Sequence, residues 1–189
     1  MGIQNDGIKI TAPTFSNDVA LSNDKRKSFV LKGEHRRKWT AENPNKHIGI
    51  CLKIDGALIV SVKQNKCDCG LLLDDNRLYL VEFKGKTYKD AVNQLIETKD
   101  FFQKNYTRYN FVFYARIVGK SYPKAETELQ NAKLRLKSAF GRNYQFFENK
   151  GFYFRKYLMK YAVSKSKEII DAKKEKSIVK NTLIMILYF

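Results

Sequence analysis

A chain of 189 residues carries 36 Lys and Arg against 19 Asp and Glu, a formal charge of +17 at pH 7 and a pI near 9.7. Its 43% hydrophobic and 13% aromatic content, with ten glycines and three prolines, excludes a disordered basic tail and a linker-dominated or collagen-like chain. The size suits one globular domain, and so much positive charge on a folded body calls for a polyanion, nucleic acid first.

Residues 1–45 read as a lead-in, irregular or partly strand-like over 1–30. The start, MGIQNDGIKITAPT, has neither a basic leader nor an apolar core, and Asp6 stands where a myristoylation signal needs Ser or Thr. Residues 28–39 suggest a short helix broken near Gly33, and Glu42-Asn43-Pro44-Asn45 is a turn signal. A core is expected over 46–145. Residues 48–62 are β-rich, with Asp55-Gly56 as a hairpin turn between two strands. Residues 67–73 and 78–84 give two more strands around Asp74-Asp75-Asn76-Arg77.

The period then changes. Tyr88, Ala91, Val92, Leu95, Ile96 and Phe102 form a helical stripe over 88–104, with Thr87 as its cap. Residues 110–118 read as a buried strand, and 123–140 as a basic amphipathic helix opened by Pro123. Residues 146–189 form a basic C-terminal extension of the same domain, with a short strand near 151–154 and a Lys-rich helix over 164–180. The terminal LIMILYF is too short to span a bilayer. It suits a closing strand, a subunit contact or the remnant of a truncated frame. Cys51, Cys67 and Cys69 form an odd set without a signal peptide, which predicts reduced thiols and a cytoplasmic location, and no membrane partner is expected.

The charge is uneven. Residues 1–40 are net +4, residues 41–100 carry nine bases and nine acids, and residues 101–189 are net +13. The neutral middle holds the stretch with chemistry in it. Glu82 and Lys84 lie two apart in an expected strand, so they share a face while Val81 and Phe83 point to a core. Glu-x-Lys recurs at Glu97/Lys99 and Glu148/Lys150, but only the first sits in a strand preceded by an acid-bearing strand and followed by a helix. Asp68 is its natural partner. A three-residue loop, Asp74-Asp75-Asn76, pairs Leu73 with Arg77 and sets Asp68 opposite Glu82. A two-residue Asp75-Asn76 turn sets Asp68 opposite Phe83 instead, unless Gly70 sits in a bulge. Facing carboxylates repel, which favours a shared proton or a divalent cation; oxygen ligands beside a phosphate substrate point to Mg²⁺ or Mn²⁺. The bland alternative is a surface salt-bridge cluster on a wet strand face.

Asp68, then Glu82-x-Lys84 in the next strand, then a helix bearing Gln94, resembles the PD-(D/E)xK nuclease superfamily, and CDCGLLL…LYLVEFKGKTYKDAVNQL is similar to its small prokaryotic members. The resemblance covers roughly residues 48–118, with the helix at 123–140. It implies an α/β restriction-endonuclease-like fold, a central mixed sheet flanked by helices. It also implies a metal-dependent nuclease that hydrolyses DNA phosphodiesters through a metal-activated water. Asp68, Glu82 and the Phe83 carbonyl would be metal ligands, Lys84 the catalytic lysine, and Gln94 a helix residue near the metal. An additional acid in such proteins lies on a preceding helix, where Glu34 or Glu42 would serve, although neither lies in a clear helical pattern. Cys67 stands where the motif's proline would be.

Cys-x-Cys without a second pair or a nearby His fails zinc spacing, His35 and His47 lie in unrelated contexts, and no glycine-rich phosphate loop is present. Arg142, Lys150, Arg155 and Lys156 interleave with Tyr144, Phe146, Phe152 and Tyr157, a pattern that suits single-strand stacking or an ordinary alternating strand. Two further readings stand beside the nuclease: a nucleic-acid-binding protein that keeps the fold without the reaction, and an assembly protein docking through LIMILYF. A homodimer suits cleavage of both strands of a duplex.

Overall fold

The computed structural model describes residues 12–84, 88–119, 126–148 and 167–169, with side chains outside the description at 84, 126, 148 and 167–169. The fold is mixed α and β. Among the described residues, nine strands and two helices follow in chain order: β1 (Ala20–Lys25), β2 (Ser28–Lys32), β3 (Lys38–Glu42), β4 (Ile48–Lys53), β5 (Cys69–Leu73), β6 (Arg77–Lys84), α1 (Tyr88–Asn105), β7 (Val112–Gly119), α2 (Glu126–Phe140), β8 (Tyr144–Glu148) and β9 (Lys167–Ile169).

Six strands form one sheet in the order β1-β4-β5-β6-β7-β8, antiparallel from β1 to β6 and parallel from β6 to β8. Parallel neighbours need crossovers, and α1 and α2 supply them. Both helices lie on one face, where Leu78 and Leu80 of β6 meet Ala91, Val92 and Leu95 of α1 and Leu136 of α2 in a buried core. The expected stripe is buried except for Ile96, which is partly buried, and Thr98 joins it. On the other face β2, β3 and β9 form a small sheet, and Phe29, Trp39 and Ala41 pack on Leu71, Tyr79, Val81 and Phe83. With both faces covered, every residue of β5 is buried, so CGLLL shows no alternation.

Three expected elements differ. Residues 28–39 are not a broken helix but most of a β2–β3 hairpin, turned at His35 and Arg36 with φ of 53° and 59°. The strand expected after Asp55-Gly56 does not form. Gly56 takes φ 72°, Ile59 folds back under a single bridge to Asp55, and Val60 and Val62 are exposed. Within the helix expected at 164–180, residues Lys167–Ile169 are strand, paired in parallel with β3; the rest of that segment, the strand expected at 151–154, Thr87, Pro123 and LIMILYF lie outside the described residues. The turn at 42–45 is present and holds Asn43, 1% exposed, whose amide bonds Arg26 O and both backbone groups of His47.

The small sheet is seated through two glycines. A Cβ on Gly49 of β4 would lie 2.3 Å from the Phe29 ring, and one on Gly33 would lie 2.4 Å from the Phe83 ring. Gly49 pairs with Leu73 at the turn end of β5, and Phe83 lies at the far end of β6. The β2–β3 hairpin therefore runs along the large sheet, and its tip projects where β6 ends.

Candidate functional site

The β5–β6 register decides where the acids fall. Cys69 pairs with Val81, Gly70 with Leu80, Leu71 with Tyr79 and Leu72 with Leu78. Continued inward, this register closes a three-residue loop in which Asn76 takes φ 65° and donates its N–H to Leu73 O at 3.0 Å. One step beyond its last pair, Asp68 falls opposite Glu82, whose strand turns Leu78 and Leu80 to the α1 side.

Two bonds lock that end of the hairpin. The Asp68 N–H donates to Glu82 Oε2 at 3.2 Å, and the Phe83 N–H donates to Asp68 Oδ2 at 2.7 Å. Glu82 is 2% exposed and Asp68 is half-buried. Helix α1 fixes the segment just before Asp68. The Cys67 N–H donates to Thr98 Oγ1 at 2.8 Å, Thr98 Oγ1 donates to Gln94 O at 2.7 Å, and Gln94 Nε2 donates to Lys66 O at 3.0 Å. Gln94 thus stands one strand-end away from Asp68. Thr98 escapes a sequence reading because a lone Thr on a helix face carries no chemical signal.

Burial pushes the Cys67 thiol well above its usual range, the Glu82 charge adds to it, and Asp68 adds further against a lowering bond from Thr98. Cys69 is raised in the same way, first by burial. Both thiols are neutral small core groups, and both carboxylate charges bear on the same small region. Lys84 closes β6 opposite Gly119, with its side chain outside the described residues. Glu34 lies in the β2–β3 tip with its side chain 90% exposed, and Glu42 pairs with Ser28 in the small sheet, so neither acid is on a helix or in the layer that Glu82 faces. Arg142 is exposed beyond α2; Lys150, Arg155 and Lys156 lie outside the described residues.

The chain matches no family model, no curated protein and no solved structure.

A second cluster occupies the turn end of the hairpin. His47, Asp74 and Asp75 bring three potential ligand atoms within 4.8 Å of one another. His47 Nδ1 is 2.8 Å from Asp74 Oδ1 and its Nε2 is 3.0 Å from an Arg77 nitrogen. Arginine only donates, so Nε2 accepts and Nδ1 carries the proton to Asp74. A cation on Nδ1 would have to displace that proton beside a guanidinium, which also bonds Asp75 at 2.6 Å. The cluster is a network that holds the loop, and the loop sets the register of Asp68 on Glu82.

At the Asp68/Glu82 end two carboxylates lie together on backbone hydrogen bonds. Its donors are oxygens, and a carboxylate offers about four lone-pair sites, so accepting one backbone N–H is compatible with holding a hard cation. Among the described residues no helix is long and apolar enough to cross a membrane.

Proposed function

We propose that this chain is a divalent-metal-dependent nuclease of restriction-endonuclease-like, PD-(D/E)xK type that hydrolyses DNA phosphodiester bonds. The observation that carries the reading is the hairpin register, which sets Asp68 opposite Glu82 with each carboxylate bonded to backbone beside the other. The three-layer arrangement, with α1 crossing between parallel β6 and β7, supports it as well.

Asp68, Glu82 and the Phe83 carbonyl are the proposed holders of Mg²⁺ or Mn²⁺. When bound, such an ion polarises a phosphodiester oxygen and lowers the pKa of its water. Lys84, two positions beyond Glu82, is assigned to the charge that builds on the phosphate. Gln94 and Thr98 keep the Lys66–Asp68 backbone in place. The net charge of +17 supports a phosphate-rich substrate.

The same two bonds favour a second reading, in which the carboxylates serve only as pins for the strand ends and the protein binds nucleic acid without cutting it. Incubation with Mg²⁺ or Mn²⁺ and plasmid, linear duplex, single-stranded or branched DNA separates the two. Metal-dependent cleavage that Lys84→Ala abolishes while binding persists supports the nuclease. Binding with no cleavage of any of these substrates selects the second reading.

A further inference from the structure

The β2–β3 tip is built against its own backbone preferences. Arg37 N–H donates to Glu34 O at 3.2 Å and Gly33 N–H to Arg37 O at 2.9 Å, closing a two-residue turn with His35 and Arg36 both at positive φ. Turns of this kind favour Asn-Gly, because non-glycine residues pay sterically in the left-handed region. This chain instead spends both positions on a histidine and an arginine. Arg37 adds a second cost: its Nε donates to Glu34 O at 3.2 Å while its NH1 is buried with no hydrogen-bond partner among the described residues. Paired departures from local preference mark a segment selected for something besides folding.

The tip is basic and anchored. Lys32, Arg36 and Lys38 are exposed around it, with Glu34 as the one acid. Gly33 presses directly on the ring of Phe83, the residue that follows Glu82, so the tip is held at the end of the sheet that carries the carboxylate pair. A β-ribbon presenting Arg and Lys at its turn suits the phosphate backbone of a nucleic-acid strand.

We propose that the 32–38 tip is a backbone clamp, in which Arg36 with Lys32 and Lys38 grips phosphates of the strand lying across the Asp68/Glu82 end. The position of that strand rests on the nuclease reading; the gripping itself does not.

The test is anisotropy of a short labelled DNA duplex, measured against salt in EDTA so that no cleavage intervenes. His35→Asn combined with Arg36→Gly supplies a favourable turn, so the variant should melt no lower than wild type. It is expected to bind about fivefold more weakly, with the slope of log K on log salt smaller by about one. Arg36→Lys should recover most of the loss. Lys104→Ala removes one exposed charge from the last turn of α1, which packs on the face of the large sheet away from the small sheet, and should bind as wild type does. Wild-type affinity and slope in the double variant, an equal loss in Lys104→Ala, or no DNA binding by the wild type would each overturn the clamp. A weakened double variant of a protein that cuts nothing with Mg²⁺ or Mn²⁺ leaves the clamp standing and removes the nuclease.

Discussion

Asp68 and Glu82 pin each other's strand ends: the Asp68 N–H reaches Glu82 Oε2 at 3.2 Å, and the Asp68 carboxylate takes the N–H of Phe83, next after Glu82, at 2.7 Å. Position and charge can therefore be separated by substitution. Asp68→Asn and Glu82→Gln keep an acceptor oxygen and lose the charge, so their melting temperatures should not fall. If the pair holds a cation, metal-dependent cleavage should fall by at least ~100-fold, the scale of losing a few kcal/mol of charge stabilisation. Asp68→Ala should also destabilise the fold by about 1–3 kcal/mol in urea, because the Phe83 N–H loses its acceptor. An Asp68→Asn protein that cuts as wild type does would make the carboxylates purely structural.

Thr98 tests the support behind that pair. It is 0% exposed, and its hydroxyl is the acceptor for the Cys67 N–H at 2.8 Å. Thr98→Val keeps the shape and strands a buried donor, for an expected loss of about 1–3 kcal/mol. Under the nuclease reading cleavage should fall too, with kcat affected more than KM, and Thr98→Ser should restore both stability and rate. Equal cleavage by Thr98→Val would mean that the Lys66–Asp68 backbone needs no help from α1.

What could be read from the sequence was what short-range chemistry controls. Asn76 tolerates the left-handed region, which suits the three-residue loop, one of the two turns the sequence allowed and the one that sets Asp68 opposite Glu82. The helix at 88–105 followed from its apolar spacing. The small sheet did not. His35-Arg36 is a turn without turn residues, Gly33 reads as a helix breaker when its task is to clear the Phe83 ring, and Trp39 and Phe29 reveal their shared face only once β6 lies beneath them. Ala57-Leu58-Ile59-Val60 has strand composition and no strand, because the Leu58 and Ile59 N–H groups donate back to Lys53 O and Ile54 O and close the chain into a turn. Lys167–Ile169 pairs with β3, a contact more than 120 residues distant in sequence, which overrides a helical charge pattern.

The fit of the small sheet on the large one should be visible at Gly49. An added methyl would meet the fully buried Phe29 ring at 2.3 Å, so Gly49→Ala is expected to cost about 1–3 kcal/mol by overpacking. Phe29→Leu removes the opposing ring edge, and the double variant should lose clearly less than the two single losses combined. Simple additivity in urea denaturation would show that the two sheets do not meet at this point.

Trp39 is the chain's one tryptophan, 0% exposed and 5.7 Å from the Tyr79 ring of β6. Its fluorescence therefore reports on the docking of β3 against the large sheet. With one core shared between the sheets, the fluorescence and far-UV circular dichroism transitions in urea should coincide. An earlier fluorescence transition would show the small sheet leaving on its own.

The turn that sets the register should carry a pH signature. Burial works to raise the Asp74 carboxyl, but the Ile48 N–H at 3.0 Å and the His47 bond at 2.8 Å outweigh it and hold the group below its usual range. A carboxylate depressed in the folded state contributes stability that is present above the unfolded value, about 3.9, and is lost as pH falls through the folded value. Asp74→Asn cannot ionise and lacks that contribution throughout. The wild type should therefore melt above Asp74→Asn at about pH 6, and the gap should narrow on acidification toward about pH 3. A gap that stays constant over that range would mean the charge of Asp74 is not what holds the loop. In that case the positive φ of Asn76, and not the His47–Asp74–Arg77 network, would be left to set Asp68 opposite Glu82.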